Sequence, residues 1–438
     1  MKKLIITSLL LFISAICLSQ NLNTKKLDSL FQLLEQHNKF MGTLVVSQDQ
    51  KTIYSNSIGF ADVENKIKAD SLTKYRIGSI SKMFTATLIL NAVEEGKLEL
   101  DQPIGKYFPK IDNSHQITIK NLLNHSSGIH DFTRNEDYFS WNTSFQSKED
   151  MLKKISNFKN DFEPSSKSQY SNSNFVLLTF ILEDIYKQSF QKILNQKIVK
   201  PLHLNNTYYG KKISSENNEA YSYKFLGEWK KEKETDMSIP KGAGGIVSNP
   251  KDLKTFIEQL FIGNIISDKS LNLMKNIENG YGLGMLQFPY NDKISYGHTG
   301  GIDGFESVVS YFPEDKLTIS LSSNGVNYNK NNILLAVLAT FYNNSYDLPN
   351  FETIELTSED LEKYLGTYSS DQIPLKITCT KQGNTLITQA TGQKAFPLEA
   401  TVEDIFTYEQ AGITLEFNPT ENEVTLKQGG GEFLFKKE

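Results

Sequence analysis

The sequence predicts an α+β fold: an antiparallel sheet flanked by helices, with a helical subdomain, followed by a small all-β barrel-like domain. Three observations carry this prediction. Strand-like runs at 43–46 and 52–60 precede a mostly helical stretch that extends to about residue 280. Strand character returns at 305–312 and 316–322. Short alternating segments follow residue 358, with turn pairs between them. A sheet built from both ends of a region, around a helical insertion, leaves a cleft between sheet and helices.

Residues 1–19 are predicted to be a signal peptide. Two lysines near the start precede an apolar run at 4–18, and small residues favour cleavage before Gln20. The run is shorter than the roughly 20 residues that a membrane span needs. Lipidation at Cys17 is the less favoured alternative, because Ile16 is bulkier than the small residue usual before a lipidated cysteine. We therefore expect a periplasmic or secreted protein.

The remaining elements follow from periodicity and turn signals. The first helix, predicted at 25–38, carries apolar residues at the spacing of one helical face, as Leu27, Leu30, Phe31 and Leu34. Further helices are predicted at 174–187, 250–260, 267–277 and 331–342. The sequence then divides into a main domain at 20–345, a linker at 346–357 and a β-barrel domain at 358–438.

Bulk composition excludes several classes of protein. The formal net charge is −5 with no basic stripe, which argues against a nucleic-acid binder. Beyond the predicted signal peptide Cys379 is the sole cysteine, so no internal disulfide can form, and its alternating apolar neighbours predict a core position. The histidines form no spaced cluster, so neither a metal nor a cofactor is expected.

The most informative motif is Ser79-Ile80-Ser81-Lys82. Positions i and i+3 share a helix face, so the amine can reach the hydroxyl. Serine is a poor nucleophile without a base, and a lysine whose pKa is lowered by burial or by a nearby cation can be that base. Of the Ser-x-x-Lys matches considered, only that of Ser79 follows a glycine and opens a long apolar run. The others begin at Ser71, Ser156, Ser238 and Ser248.

A second motif is Tyr170-Ser171-Asn172, which follows a polar loop and precedes a predicted helix. A loop tip between helices can direct Tyr170 and Asn172 into a cleft. Nearby lysine cations would favour the phenolate of Tyr170, which could act as a general base or relay a proton. The alternative is a packed tyrosine followed by a capping asparagine.

A third motif runs from Tyr296 to Gly301 and is predicted to be a glycine-rich turn before the strand at 305–312. Glycine permits close approach of the backbone to a ligand. An N–H there could complete an oxyanion hole with that of Ser79. His298 could donate a hydrogen bond or hold partial positive charge. The alternative is a hairpin turn with an incidental histidine. The run 242–245 is predicted to be a tight turn beside the cleft.

In their order and distances, these motifs resemble those of the serine beta-lactamase and penicillin-binding-protein superfamily. The similarity is to the class C beta-lactamase-like branch of esterases, D-amino-acid peptidases and D-Ala-D-Ala carboxypeptidases. It covers about residues 24–345, and the tail after 358 resembles a lipocalin-like domain. The matching stretches are 76–82, 117–129, 170–172, 244–248 and 298–300.

The resemblance implies a role for each matching residue. Ser79 would be the acylated nucleophile, and Lys82 would take its proton or tune its partner. Tyr170 would be the shared acid and base, and Asn172 would bind the substrate amide. The N–H groups of Ser79 and Gly301 would form the oxyanion hole.

One residue departs from the family pattern. His298 stands where the family has the lysine of Lys-Thr-Gly, followed here by Thr299 and Gly300 as expected substrate-binding residues. The positive charge available to bind a substrate carboxylate is therefore weaker than in the family pattern. The resemblance associates this variant with esterases and D-aminopeptidases, so slow or no hydrolysis of beta-lactams is expected.

The sequence thus predicts an exported serine hydrolase that acts through a Ser79 acyl-enzyme on esters or amides, with D-amino-acid or D-Ala peptides as candidates. Two alternatives stay open: a true class C-type beta-lactamase, and a non-hydrolysing peptidoglycan-binding or sensing protein. The expected partners are small ester, amide or peptide substrates and peptidoglycan, with no nucleic acid and no transmembrane span.

Overall fold

The computed structural model describes residues 24–438. The predicted signal peptide at 1–19 lies outside these described residues. Within them, no helix combines the length and apolar character needed to cross a membrane.

The main sheet is antiparallel along its principal path and combines strands from both ends of the first 330 residues, as predicted. In chain order the strands before residue 330 are β1 (Phe40–Gln48), β2 (Lys51–Ile58), β3 (Phe60–Asp62), β4 (Ile67–Lys68), β5 (Tyr75–Arg76), β6 (Tyr208–Tyr209), β7 (Tyr223–Phe225), β8 (Trp229–Lys231), β9 (Ile246–Ser248), β10 (Leu286–Tyr290), β11 (Lys293–Ile302), β12 (Phe305–Phe312) and β13 (Leu317–Val326). The sheet order is β10-β11-β12-β13-β1-β2, and β7 adds to β13 in parallel. Two small sheets pair β3 with β4 and place β9 between β5 and β6.

Helices cover both faces of this sheet, which explains why every residue of β13 is buried. They are α1 (Lys25–Gln36), α2 (Ser81–Glu94), α3 (Ile119–Leu123), α4 (Tyr138–Trp141), α5 (Lys148–Ser156), α6 (Asn172–Tyr186), α7 (Phe190–Leu194), α8 (Lys241–Gly244), α9 (Pro250–Phe261), α10 (Asp268–Lys275) and α11 (Lys330–Phe341). One core packs α1 and α11 against the sheet. A second core unites α2, α6, α9 and the helical subdomain, with Phe84 stacked on Phe256 at 3.7 Å between ring centroids.

The C-terminal region is a closed eight-stranded barrel, which confirms the predicted all-β element. Its strands are β14 (Gly366–Ser369), β15 (Lys376–Gln382), β16 (Thr385–Ala390), β17 (Phe396–Val402), β18 (Ile405–Tyr408), β19 (Ile413–Asn418), β20 (Glu423–Gln428) and β21 (Gly431–Lys437). Aromatic side chains such as Tyr368, Phe406 and Phe435 fill its interior. Cys379 is buried in this core, as its alternating pattern predicts. The barrel is therefore a packed core around aromatic rings.

The barrel is fixed to the main sheet by a partly buried contact. Lys39, just before β1, has a side chain only 3% exposed and forms an ion pair with Glu399 of β17. Asn327, just after β13, donates from Nδ2 to Oε1 of Glu399 at 3.1 Å. Residues 344–357 form neither helix nor strand. The predicted linker limits of 346–357 and the domain limits remain predictions.

The glycine-rich motif at 296–301 is not the turn that the sequence predicts. It belongs to β11 and pairs with β12, with Gly300 opposite Ser307 and Gly301 opposite Glu306. A Cβ at Gly300 would lie 1.9 Å from the carbonyl oxygen of Ile77. The glycine is needed because another backbone crosses the strand closely, a requirement that resembles a turn signal in sequence.

Candidate active site

The nucleophile candidate Ser79 lies in a short 3-10 turn, Gly78–Ile80, directly before α2. Gly78 has φ +51°, and a Cβ there would come 2.7 Å from the nitrogen of Gly301. Only glycine fits both the conformation and the contact. The turn therefore presses against β11 and holds Ser79 at the floor of an open cavity of about 460 Å³.

Lys82 is fully buried beneath Ser79 and contacts three oxygens. Its Nζ lies 3.0 Å from Oγ of Ser79, 2.8 Å from Oδ1 of Asn172 and 2.7 Å from the carbonyl oxygen of Ala243. Burial lowers the pKa of Lys82 to about 7, and the negative charge of Asp131 opposes this shift. The two carbonyl oxygens can only accept hydrogen bonds. A neutral amine can donate to both and turn its lone pair toward the Ser79 hydroxyl.

Tyr170 approaches Ser79 from the other side and donates its O–H to Oγ at 2.7 Å. Burial raises the pKa of Tyr170, despite its hydrogen bond to Ser79. The expected bias toward phenolate is therefore wrong for this site. The amine of Lys82, 4.8 Å from the centre of the Tyr170 ring, is buried, and burial disfavours its charged form. The ring of His125 lies against the Tyr170 ring at 4.4 Å between centroids and supports it.

Asn172 is the first residue of α6, and its side-chain amide is engaged at both ends. Oδ1 accepts from Lys82, and Nδ2 donates to Oδ2 of Asp131 at 3.1 Å and to Oγ1 of Thr133 at 3.3 Å. These contacts connect α6 to the segment around residue 131. The contact with a substrate amide that the family resemblance implies stays a prediction.

His298 lies on β11, is 2% exposed and lines the cavity over Ser79. Burial and the charge of Lys82 lower the pKa of His298 to about 3. Its Nδ1 donates to the carbonyl oxygen of Thr299 at 2.5 Å, so Nε2 is left as an acceptor. The expectation that His298 holds partial positive charge is wrong, because its enclosed position disfavours the imidazolium.

Of the predicted oxyanion and substrate-binding residues, His298, Thr299 and Gly301 line this cavity, whereas Asn172 and Gly300 do not. Ser79, Thr299 and Gly301 all line it, and a Cβ at Gly300 would be 3.3 Å from the Ser79 nitrogen. The peptide groups of Ser79 and Gly301 are therefore neighbours across two different elements. The residues lining the cavity are Ser79, Tyr170, Asn279, Gly280, Tyr281, Leu286, His298, Thr299 and Gly301.

A buried ion pair fixes the distance between these two elements. Arg76 on β5, three residues before Ser79, donates from Nη1 to Oδ2 of Asp303 at 3.0 Å. The side chains of Arg76 and Asp303 are 2% and 4% exposed. Because Asp303 lies in the turn between β11 and β12, the pair connects the nucleophile turn to the glycine strand.

Sequence reasoning missed several residues around this site. Asp131, Thr133 and the Ala243 carbonyl all contribute contacts to Lys82 or Asn172. Asp131 could have been noticed, since it lies just beyond the signature stretch at 117–129. A backbone carbonyl leaves no signal in the sequence. His125, expected at a helix end, does follow α3, and it also packs against Tyr170. Across residues 24–438 no group of three or more His, Cys, Asp or Glu is placed to hold a metal.

The chain is similar to known proteins over most of its length. A family model described as Beta-lactamase matches residues 27–342. Protein flp of Staphylococcus aureus strain MRSA252 is 26% identical over 298 residues, covering 64% of this chain and 59% of that protein. The chain thus spans less than two thirds of the length of this relative. A Bacillus subtilis penicillin-binding protein is 25% identical over 425 residues, covering 90% of this chain and 93% of its own.

A solved structure shares the fold over most of this chain. D-amino acid amidase from Ochrobactrum anthropi SV3, complexed with L-phenylalanine, superposes with a TM-score of 0.63 and 25% identity. The match covers 72% of this chain and 98% of that structure.

Proposed function

This chain belongs to the beta-lactamase family, and on that premise we propose that it is a serine hydrolase that forms an acyl-enzyme on Ser79. One observation carries the proposal: a continuous set of contacts joins Tyr170, Ser79 and Lys82 at the floor of an open cavity. Such a set places a base and an acid each within hydrogen-bond reach of the nucleophile.

Acylation follows from the protonation states at this site. Neutral Lys82 accepts the Ser79 proton as Oγ attacks the substrate carbonyl carbon. The charge that develops on the carbonyl oxygen is held by the N–H groups of Ser79 and Gly301. Tyr170 then gives its phenolic proton to the leaving amine or alkoxide, and the proton on Lys82 restores the phenol. The leaving group thus departs with the phenolic proton, the Ser79 proton replaces it on Tyr170, and an ester to Oγ remains.

Deacylation uses the same groups in reverse. A water molecule attacks the acyl carbon while neutral Lys82, with Tyr170 as relay, accepts its proton. Collapse of the tetrahedral intermediate breaks the bond to Oγ, and the proton returns to Ser79. The products are a carboxylic acid and the free enzyme.

We propose esters and amides, with D-amino-acid amides or peptides as the first candidates, as substrates. The chain's similarity to a D-amino acid amidase supports this choice. The cavity lining supports it too, since none of its side chains is a lysine, arginine or carboxylate. A site without a fixed cation suits an ester or amide that has no carboxylate beside the scissile bond. It suits a beta-lactam less well, because a beta-lactam carries such a carboxylate. With the predicted signal at 1–19, we also propose export.

The test combines a substrate panel with active-site labelling. We expect turnover within a panel of p-nitrophenyl esters and of D- and L-amino-acid amides, with little hydrolysis of nitrocefin. A fluorophosphonate should form an adduct that mass spectrometry maps to Ser79. Ser79→Ala should abolish the adduct and lower kcat by roughly 10³-fold or more. No adduct and no turnover would favour the non-hydrolysing alternative, and rapid nitrocefin turnover would favour the beta-lactamase.

A further inference from the structure

Asp131 contacts Asn172, which in turn contacts Lys82, and it lies directly before the 3-10 turn Phe132–Arg134. It is 4% exposed. Its Oδ1 accepts from the backbone N–H and from Oγ1 of Thr133, at 3.1 and 3.0 Å. Its Oδ2 accepts from Nδ2 of Asn172 at 3.1 Å, and Oδ1 lies 3.4 Å from the same nitrogen. The carboxylate is therefore fixed on its own loop and directed at the amide of Asn172.

These contacts decide which way the Asn172 amide faces. A carboxylate can only accept, so the amide nitrogen must face Asp131 and Oδ1 must face Lys82. With the Ala243 carbonyl, Lys82 then meets two oxygens that only accept. Its lone pair is left for the Ser79 hydroxyl. A flipped amide would present N–H donors to Lys82 and draw its lone pair away from Ser79.

Asp131 also differs in charge from the other groups that face Lys82. These are His125 after α3, Tyr170 before α6 and His298 on β11. Burial lowers the pKa of both histidines and raises that of Tyr170, so all three are uncharged near neutral pH. Within residues 24–438, Asp131 is then the charged group that bears on Lys82.

We propose that Asp131 is a positioning residue: by orienting Asn172, it directs the lone pair of Lys82 at Ser79. The inference rests on the proposed serine hydrolase function. It has a second consequence, because the negative charge of Asp131 favours protonated Lys82. Removing that charge should let Lys82 act as a base at lower pH.

The experiment measures the rate of Ser79 labelling by a fluorophosphonate as a function of pH, which requires no knowledge of the natural substrate. In Asp131→Asn, which keeps the shape of the side chain, we expect the acid limb of the profile to move to lower pH. In Asp131→Ala, which frees the Asn172 amide, we expect the plateau rate to fall by roughly 10- to 100-fold. Asp137→Asn removes an equal charge from an exposed residue nearby and should leave the profile unchanged.

Thr133→Val provides a second variant, because it removes the hydrogen bonds of the Thr133 hydroxyl with Asn172 and Asp131 without changing charge. It should lower the plateau rate by a few-fold and leave the acid limb in place. Thermal unfolding identifies any variant that fails to fold. If the Asp131 variants do not fold, the labelling rate of the Thr133 variant tests the proposal in their place. If the wild-type protein is labelled and these folded variants match its rate and profile, the role of Asp131 is refuted while the hydrolase stands. An unlabelled wild-type protein would instead refute the proposed function itself.

Discussion

At the scale of single residues, Lys82 is both fully buried and surrounded by hydrogen-bonding oxygens. Its amine is enclosed completely, yet three oxygens surround it at hydrogen-bond distance. Burial penalises the charged amine more than the nearby Asp131 stabilises it, so the pKa falls to about 7. A lysine of ordinary pKa would be protonated at neutral pH and could not accept a proton from Ser79.

The pH dependence of labelling follows from this shift. Only neutral Lys82 can accept the Ser79 proton, so the labelling rate of the wild-type protein should rise as pH increases through about 7. A plateau should follow at higher pH, because Tyr170 keeps its proton there. A stopped-flow or gel-based labelling series from pH 5 to 9 measures the profile. A rate already at its plateau at pH 5 would contradict a lysine base.

The same shift predicts how Lys82 affects stability. Its folded-state pKa lies below its unfolded one, so between about pH 7 and 10 the unfolded chain binds more protons. The contribution of Lys82 to stability should therefore rise with pH across this window. Lys82→Met should be inactive but more resistant to heat at pH 7 than the wild-type protein. The difference in Tm should narrow toward pH 10, and a constant difference would contradict the lowered pKa.

At the scale of elements, the site depends on a close crossing between β11 and the turn that carries Ser79. Gly300 makes that crossing possible, since a Cβ there would lie 1.9 Å from the Ile77 carbonyl oxygen. The pair of Arg76 with Asp303 holds the same two elements together. The geometry of the proposed oxyanion hole therefore depends on backbone packing between β11 and the Ser79 turn, which are distant in sequence.

A pair of neighbouring glycines tests this crossing. Gly300→Ala should lower Tm by several degrees and reduce Ser79 labelling, because either the strand or the turn must move. Gly301→Ala serves as the stability control, because its Cβ would have its nearest neighbour 4.0 Å away. Its Tm should stay close to that of the wild-type protein. Differential scanning calorimetry compares the two, and equal Tm values would contradict the close crossing.

At the scale of the whole molecule, the barrel is joined to the main sheet where β1 begins and β13 ends. Lys39 and Glu399 form an ion pair there, with Asn327 as a second donor to the carboxylate. The aromatic core of the barrel is separate from the two cores of the main domain. The fold therefore supports attachment of the barrel to the main sheet at this junction.

Removal of one charge measures the strength of this attachment. Glu399→Gln leaves the Lys39 amine buried without its counter-ion, which should cost about 3 kcal/mol of unfolding free energy. Glu228→Gln is the matched control, because the Lys230–Glu228 pair is exposed and should contribute under about 1 kcal/mol. Urea unfolding followed by circular dichroism compares the two variants. Equal effects would show that the Lys39–Glu399 pair does not stabilise the junction.

Local patterns in the sequence predict much of the fold. Apolar periodicity predicts the ends of α1, α6, α9 and α11 to within a few residues. Each of these helices buries at least one face, so apolar residues recur along its whole length. Alternation predicts the barrel strands in the same way. The motif at 296–301 shows the limit, because glycine marks both turns and close crossings. Only the neighbouring backbone distinguishes the two.

The sequence by itself determined the α+β order, the all-β tail and the pairing of Ser79 with Lys82, because these depend on spacing within one segment. Tertiary structure decided the protonation of Tyr170 and His298, the place of Asp131 behind Asn172 and the contact of Lys82 with Ala243. Burial and charge depend on which segments fold together, and no single segment of the chain contains that information.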